Sequence, residues 1–171
     1  MIKIVDNFLD EFNLNNIKDI ISRDDYDWCL WEKANSNSKN NQFQFAHVYV
    51  NENKIIKVMD DNIISVIMQT YSNTVNKQFK VCRARVNLFL KTETNDEFGY
   101  HKDIEDSNDF STLLLYLEDS NGCTEFKNGQ KIQSKENRAI IFPAHVEHQT
   151  VSHTDIQFRK NININFRYIG E

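Results

Sequence analysis

The spacing of hydrophobic positions changes near residue 80, and that change divides the chain. Upstream, after a short strand-like run at residues 2–5, Leu14, Ile17, Ile20 and Ile21 recur at helical spacing, with Phe12 on roughly the same side. A clearer stripe of Ile63, Ile64, Ile67, Met68, Tyr71 and Val75 predicts a second helix from about Asp61 to Lys77, with Asp60 or Asp61 as its N-cap. From Lys80 onward the period becomes two, in VCRARVNLFL, FSTLLLYL, RAIIFP and RKNININFRY, which predicts many short strands separated by turns. Asn128-Gly129, between TEFK and QKIQ, predicts a β-hairpin with a type I′ turn, because that turn needs positive φ at both central residues. The polar stretches 33–42 and 91–99 lack periodicity and are expected to be loops at the rim of a site. Two helices followed by about eight strands give an α+β fold, a double-sheet jelly roll with the helices packed on the outer face of one sheet. A plain β-sandwich is the alternative.

With 171 residues, the chain is the size of one domain, with 1–79 as a helical support region and 80–171 as the jelly-roll core. A 40% hydrophobic content and twelve Phe exclude a disordered or collagen-like chain. The net charge of -5 offers no general attraction to a phosphate backbone, although Lys80, Arg83 and Arg85 can form a local basic face. Cys29, Cys82 and Cys123 are odd in number and form no CxxC pair, so a disulfide framework or zinc knuckle is not expected and a reducing compartment fits best. The first residues reach an acidic side chain by Asp6 without a basic or long apolar region, and no segment approaches the ~20 apolar residues of a membrane helix. A soluble cytoplasmic protein is expected.

His101 and Asp103 stand two apart in GYHKDIE, so on a strand both side chains share one face while Lys102 points away. A third metal ligand would come from downstream, where His145, His148 and His153 are the candidates. His148 is preferred, because it opens the strand after RAIIFP and its short turn, where a returning strand can approach the first pair. Two imidazoles and one carboxylate make the facial triad of non-haem Fe(II) oxygenases, which leaves open positions on the metal. The last strand alternates Arg159, Asn161, Asn163 and Asn165 with Lys160, Ile162, Ile164 and Phe166. Either this polar row lines a barrel interior, with the apolar row under the helices, or it faces solvent on an outer sheet. Arg159, eleven residues after His148, can make a bidentate contact to a buried carboxylate that Lys reproduces poorly.

From about Lys80 to Tyr168 the chain resembles the 2-oxoglutarate/Fe(II) oxygenase superfamily, particularly its small prolyl-hydroxylase-like members. The matching landmarks are RxRVNLF, YHKD, LLLYLED followed by NGCTEF, RAIIFP, HQT and RKNINI, in that order. The resemblance implies a double-stranded β-helix in which His101, Asp103 and His148 bind Fe(II) and Arg159 pairs with the distal carboxylate of 2-oxoglutarate. It also matches Tyr116 to a tyrosine whose hydroxyl assists that arginine, and Asn87 to a position near the cosubstrate. The implied reaction uses dioxygen, releases succinate and carbon dioxide, and hydroxylates a peptide side chain or a small molecule. Asp103 favours hydroxylation, since relatives that halogenate lack this carboxylate. One departure is that Gly122-Cys123 has one glycine where the family often has two. Residues 1–79 match only in outline. Competing readings are a non-catalytic jelly roll, a nucleic-acid demethylase of the same superfamily, which the acidic balance disfavours, and a zinc hydrolase, for which no HExxH is present.

Overall fold

In the computed structural model, which describes residues 1–39, 42–52, 54–55, 62–105 and 108–169, the alternating segments pair into one long antiparallel sheet. Its order is β1 (Lys3–Val5), β9 (Ala139–Pro143), β6 (Phe110–Tyr116), β11 (Phe158–Tyr168), β5 (Phe79–Leu90), β3 (Gln44–Asn51) and β2 (Cys29–Trp31), with β4 (Lys54–Ile55) paired to β3. A smaller sheet consists of β10 (His148–Val151), β7 (Cys123–Phe126) and β8 (Lys131–Gln133).

The period of two sorts the large sheet's side chains between two cores. On β6, Leu113 and Leu115 join Leu117 under the helices, while Leu114 and Tyr116 face the small sheet and meet Phe126, Ile132, Ile140 and Phe142. On β11, Ile162, Ile164 and Phe166 are fully buried in the helix-side core. Arg159, Asn161, Asn163 and Asn165, on its other face, are buried too, so the polar row lines an interior and not an outer surface. The β5–β11 pairing keeps this sorting through one irregularity. Val81 pairs with Phe166 and Arg83 with Asn165, so Cys82 is the extra residue of a bulge that re-aims the start of β5.

The first helix, α1 (Glu11–Ile21), starts where the Asp10 carboxylate accepts the Asn13 amide at 2.8 Å. Leu14, Ile17, Ile20 and Ile21 are buried as expected, but Phe12 is 79% exposed, because its position in the first turn faces away from the sheet. The second, α2 (Ile63–Val75), is shorter than the expected Asp61–Lys77 and ends at Asn76, whose left-handed φ of 51° stops it. The expected caps Asp60 and Asp61 lie outside the described residues; Asn62 precedes the helix without a side-chain cap. The segment is rich in β-branched residues, each costing up to about 0.7 kcal/mol of helix propensity. Burying Ile63, Ile67, Met68 and Tyr71 returns roughly 1.5–3 kcal/mol apiece, so packing decides.

Two features differ from the sequence reading. Residues 29–55 supply strands β2, β3 and β4 to the large sheet, where the run at residues 2–5 was the one strand expected upstream of residue 80. The β7–β8 hairpin is present, but its turn is not type I′. Phe126 exchanges hydrogen bonds with Gln130 and Gly129 around a three-residue loop, and of Asn128 and Gly129 only Gly129 has positive φ, at 87°. That combination is a type I turn closed by a bulge at glycine. No helix among the described residues is long and apolar enough to cross a membrane.

Candidate metal centre

Where the two sheets meet, His101 and His148 exchange both backbone hydrogen bonds, at 2.9 and 3.0 Å. As directly opposed residues they present their imidazoles side by side, with ring centroids 4.5 Å apart. Asp103, two residues further on the same face, is held by its amide on the Ala144 carbonyl at 3.0 Å. The ligand atoms of His101, Asp103 and His148 all lie within 4.8 Å of one another. Among the described residues neither His145 nor His153 belongs to this group, nor does His47, which stacks between Tyr26 and Tyr49.

Each imidazole of the group has its Nδ1 against a backbone carbonyl, Val146 at 3.0 Å for His148 and Gly99 at 3.4 Å for His101. A carbonyl only accepts, so Nδ1 carries the proton and Nε2 offers a lone pair, the tautomer a metal requires. Burial, reinforced by the neighbouring His148 and opposed by Asp103, pushes His101 down to about 4, so it is neutral at neutral pH. The donor set fits a divalent transition ion with both imidazoles already in their ligating form.

A polar ring holds the carboxylate in place. Arg83 donates to Asp103 Oδ1 at 2.6 Å and to Asn165 Oδ1 at 2.6 Å; Asn165 donates to Thr112, and Thr112 donates to Asp103 Oδ2 at 2.7 Å. Asn163 adds a third hydrogen bond to the carboxylate, at Oδ2, at 3.3 Å. Burial pulls Asp103 upward, but the neighbouring His148, Arg83, His101 and Arg85 outweigh it and hold the carboxyl well below the usual range. These supporting residues escaped the sequence reading as a group. Asn163 and Asn165 stood in the polar row and Arg83 in a possible basic face, but nothing local tied Arg83 or Thr112 to Asp103, because they come from two other strands.

Deeper in the barrel, Arg159 is buried, with Nη1 donating to the Val151 carbonyl at 2.9 Å, its guanidinium 5.4 Å over Phe89, and Nε without a partner among the described residues. A Cβ on Gly122 would fall 1.8 Å from Arg159 Nη1, so the glycine is the space the arginine occupies. Asn87 donates to Asn161 Oδ1 at 2.9 Å, while its own Oδ1 and that of Asn163 lack partners among the described residues. Unmet buried polar atoms on a guanidinium and two amides suit a polar ligand between Arg159 and the triad. The Tyr116 hydroxyl donates to Thr124 Oγ1 at 2.7 Å, and Thr124 lines the inner cavity with Asn87 and Asn161. Any help from Tyr116 thus passes through Thr124.

Outside the triad opens a second cavity of ≈ 400 Å³, bordered by Trp31, residues 33–36, Arg83, Arg85 and residues 101–103. Its rim joins the two stretches expected as loops. Asn35, Asn37, Ser38 and Gln42 side chains donate to the carbonyls of residues 97–100, and Phe98 pairs by its amide with Thr150. The Gly99 φ of 84° lets the two segments approach, since a Cβ there would lie 2.7 Å from the Asn37 carbonyl oxygen. Arg85 is 9% exposed, with Nε unpartnered and its guanidinium 5.3 Å over the Trp31 ring. Burial and the adjacent Arg83, opposed by Asp103, lower its pKa to about 10, so it remains cationic at neutral pH.

No protein-family model and no curated protein matches the chain. Solved structures do. An oxidoreductase of the 2OG-Fe(II) oxygenase family from Burkholderia pseudomallei superposes with a TM-score of 0.70 at 10% identity, covering 97% of this chain and 84% of that one. A prolyl hydroxylase from Trichoplax adhaerens, solved with a hypoxia inducible factor peptide fragment, gives 0.71 at 12% identity over 97% and 83%. A viral collagen prolyl hydroxylase from Paramecium Bursaria Chlorella virus-1, in its 2OG complex, gives 0.63 at 15% identity over 98% and 96%. The chain therefore has the double-stranded β-helix fold of the 2-oxoglutarate/Fe(II) oxygenases, prolyl hydroxylases among them.

Proposed function

We propose that the chain is an Fe(II)- and 2-oxoglutarate-dependent dioxygenase that hydroxylates its substrate. The observation that carries this reading is the convergence of His101, Asp103 and His148 within 4.8 Å, both imidazoles presenting Nε2, inside a barrel that also buries the incompletely partnered Arg159. When bound, Fe(II) supplies dioxygen activation at the expense of 2-oxoglutarate. The protein's residues bind, orient and exclude water. His101, Asp103 and His148 hold the ion, and the ring of Arg83, Thr112, Asn163 and Asn165 fixes the carboxylate. Arg159 receives the distal carboxylate of 2-oxoglutarate, with Thr124, backed by Tyr116, and Asn87 beside it.

The substrate is a peptide side chain or a small molecule; the fold neighbours include a prolyl hydroxylase solved with a peptide. The whole described chain acts as one domain, with 80–171 carrying the site residues named above, and free Cys29, Cys82 and Cys123 suit a reducing cytoplasm. Succinate formed from 2-oxoglutarate, with Fe(II) supplied or withheld, tests the reading. Fe(II)-dependent succinate supports it; metal-independent inertness of a folded protein favours the non-catalytic jelly roll.

A further inference from the structure

The outer cavity contrasts with the rest of the chain. The protein has a net charge of -5, yet this cavity is bordered by Lys33, Arg83, Arg85 and Lys102 against the single carboxylate of Asp103. Arg83 is committed to Asp103 and Asn165, and Lys102 pairs with Glu105 at 3.1 Å. Arg85 has no ion pair among the described residues. Its guanidinium lies over the face of Trp31, and its Nε is buried without an acceptor among the described residues. Desolvating a guanidinium is costly unless a partner compensates, and Arg85 stays cationic beside the triad, bordering the inner and outer cavities alike. Trp31 fixes the plane of the guanidinium and leaves its edge for a planar or tetrahedral oxyanion.

We propose that the substrate of this site is an anion whose carboxylate or phosphate group is received by Arg85 at the mouth of the triad. The inference rests on the oxygenase reading, because it places the bound group next to the proposed iron ligands. It also narrows the substrate class. Among the described residues that border the mouth, Asp103 is the one carboxylate and is already engaged, so a free ammonium group finds no other partner among them. An acidic side chain of a peptide or a small organic acid fits better than a zwitterionic amino acid.

The test is calorimetry under argon on the full chain loaded with Mn(II) and 2-oxoglutarate, so that the inner site is already filled. The probes are benzoate, its neutral isostere benzamide, and inorganic phosphate. Wild type is expected to bind benzoate or phosphate and to bind benzamide at least about tenfold more weakly, the scale of a charge-assisted contact. Benzoate alone points to a carboxylate and phosphate alone to a phosphoryl group. Arg85→Gln is expected to lose anion binding and Arg85→Lys to retain part of it, while each keeps its affinity for 2-oxoglutarate. The wild-type acid-against-amide comparison stands even where a variant fails to fold. Equal binding of benzoate and benzamide without binding of phosphate, or no anion binding by wild type, overturns the proposal. Loss of 2-oxoglutarate affinity in Arg85→Gln also overturns it, by assigning Arg85 to the cosubstrate. Failure of wild type to bind Mn(II) and 2-oxoglutarate at all instead sinks the oxygenase reading.

Discussion

Single residues carry the chemistry, and the sharpest expectations belong to them. His101→Ala, Asp103→Ala and His148→Ala each abolish metal binding, measured by Mn(II) titration, whereas His145→Ala and His153→Ala retain it, because only the first three converge. Arg159→Ala leaves metal binding intact and weakens 2-oxoglutarate by two to four orders of magnitude, since breaking a desolvated charge pair from one side costs ~3–5 kcal/mol. Tyr116→Phe costs less, roughly 0.5–1.5 kcal/mol, as its hydroxyl acts through Thr124. The His101–Asp103 pair was legible from its spacing, although an isolated bridge at His101 and a bend at Asp103 take the place of the expected strand. His148 and Arg159 needed the order of the landmarks around them. The ring of Arg83, Thr112 and Asn165 was not legible, because its members lie on three strands and only the register brings them together.

At the scale of elements, the alternation of β11 was read correctly, and the burial of both its faces decides between interior and surface. Ile164→Ala should cost about 2–5 kcal/mol in denaturant unfolding, since Ile164 is fully enclosed under the helices. The turn before β7 tests a different interaction. Gly122 gives way to Arg159, so Gly122→Ala should raise the requirement for 2-oxoglutarate, seen by the same calorimetry, while metal affinity holds. β3 escaped the sequence reading although its segment is rich in Phe, Val and Tyr; a register shift between Val48 and Val50 interrupts its pairing with β5. The hairpin at Asn128-Gly129 shows a related limit. Local composition announced a turn, whereas loop length, set by the Phe126–Gln130 pairing, selected its type.

For the whole molecule, the fold wraps two cores around a polar interior, and that interior makes stability depend on pH. Burial lowers His101 and His153 to about 4, below their unfolded value near 6.5. The unfolded chain therefore takes up protons first as pH falls, and the stabilisation present above about 6.5 is lost as pH drops towards 4. The metal-free protein should accordingly show a falling melting temperature across that window, and a flat profile there would contradict neutral buried imidazoles. The central claim concerns what these imidazoles and Asp103 hold together. Its most direct test is an anaerobic titration of the protein with Fe(II) and then 2-oxoglutarate, following the weak visible charge-transfer absorption of the chelate. A band that saturates at one equivalent of each, and that His148→Ala removes, is the result expected. A folded wild-type protein that develops no band contradicts the account.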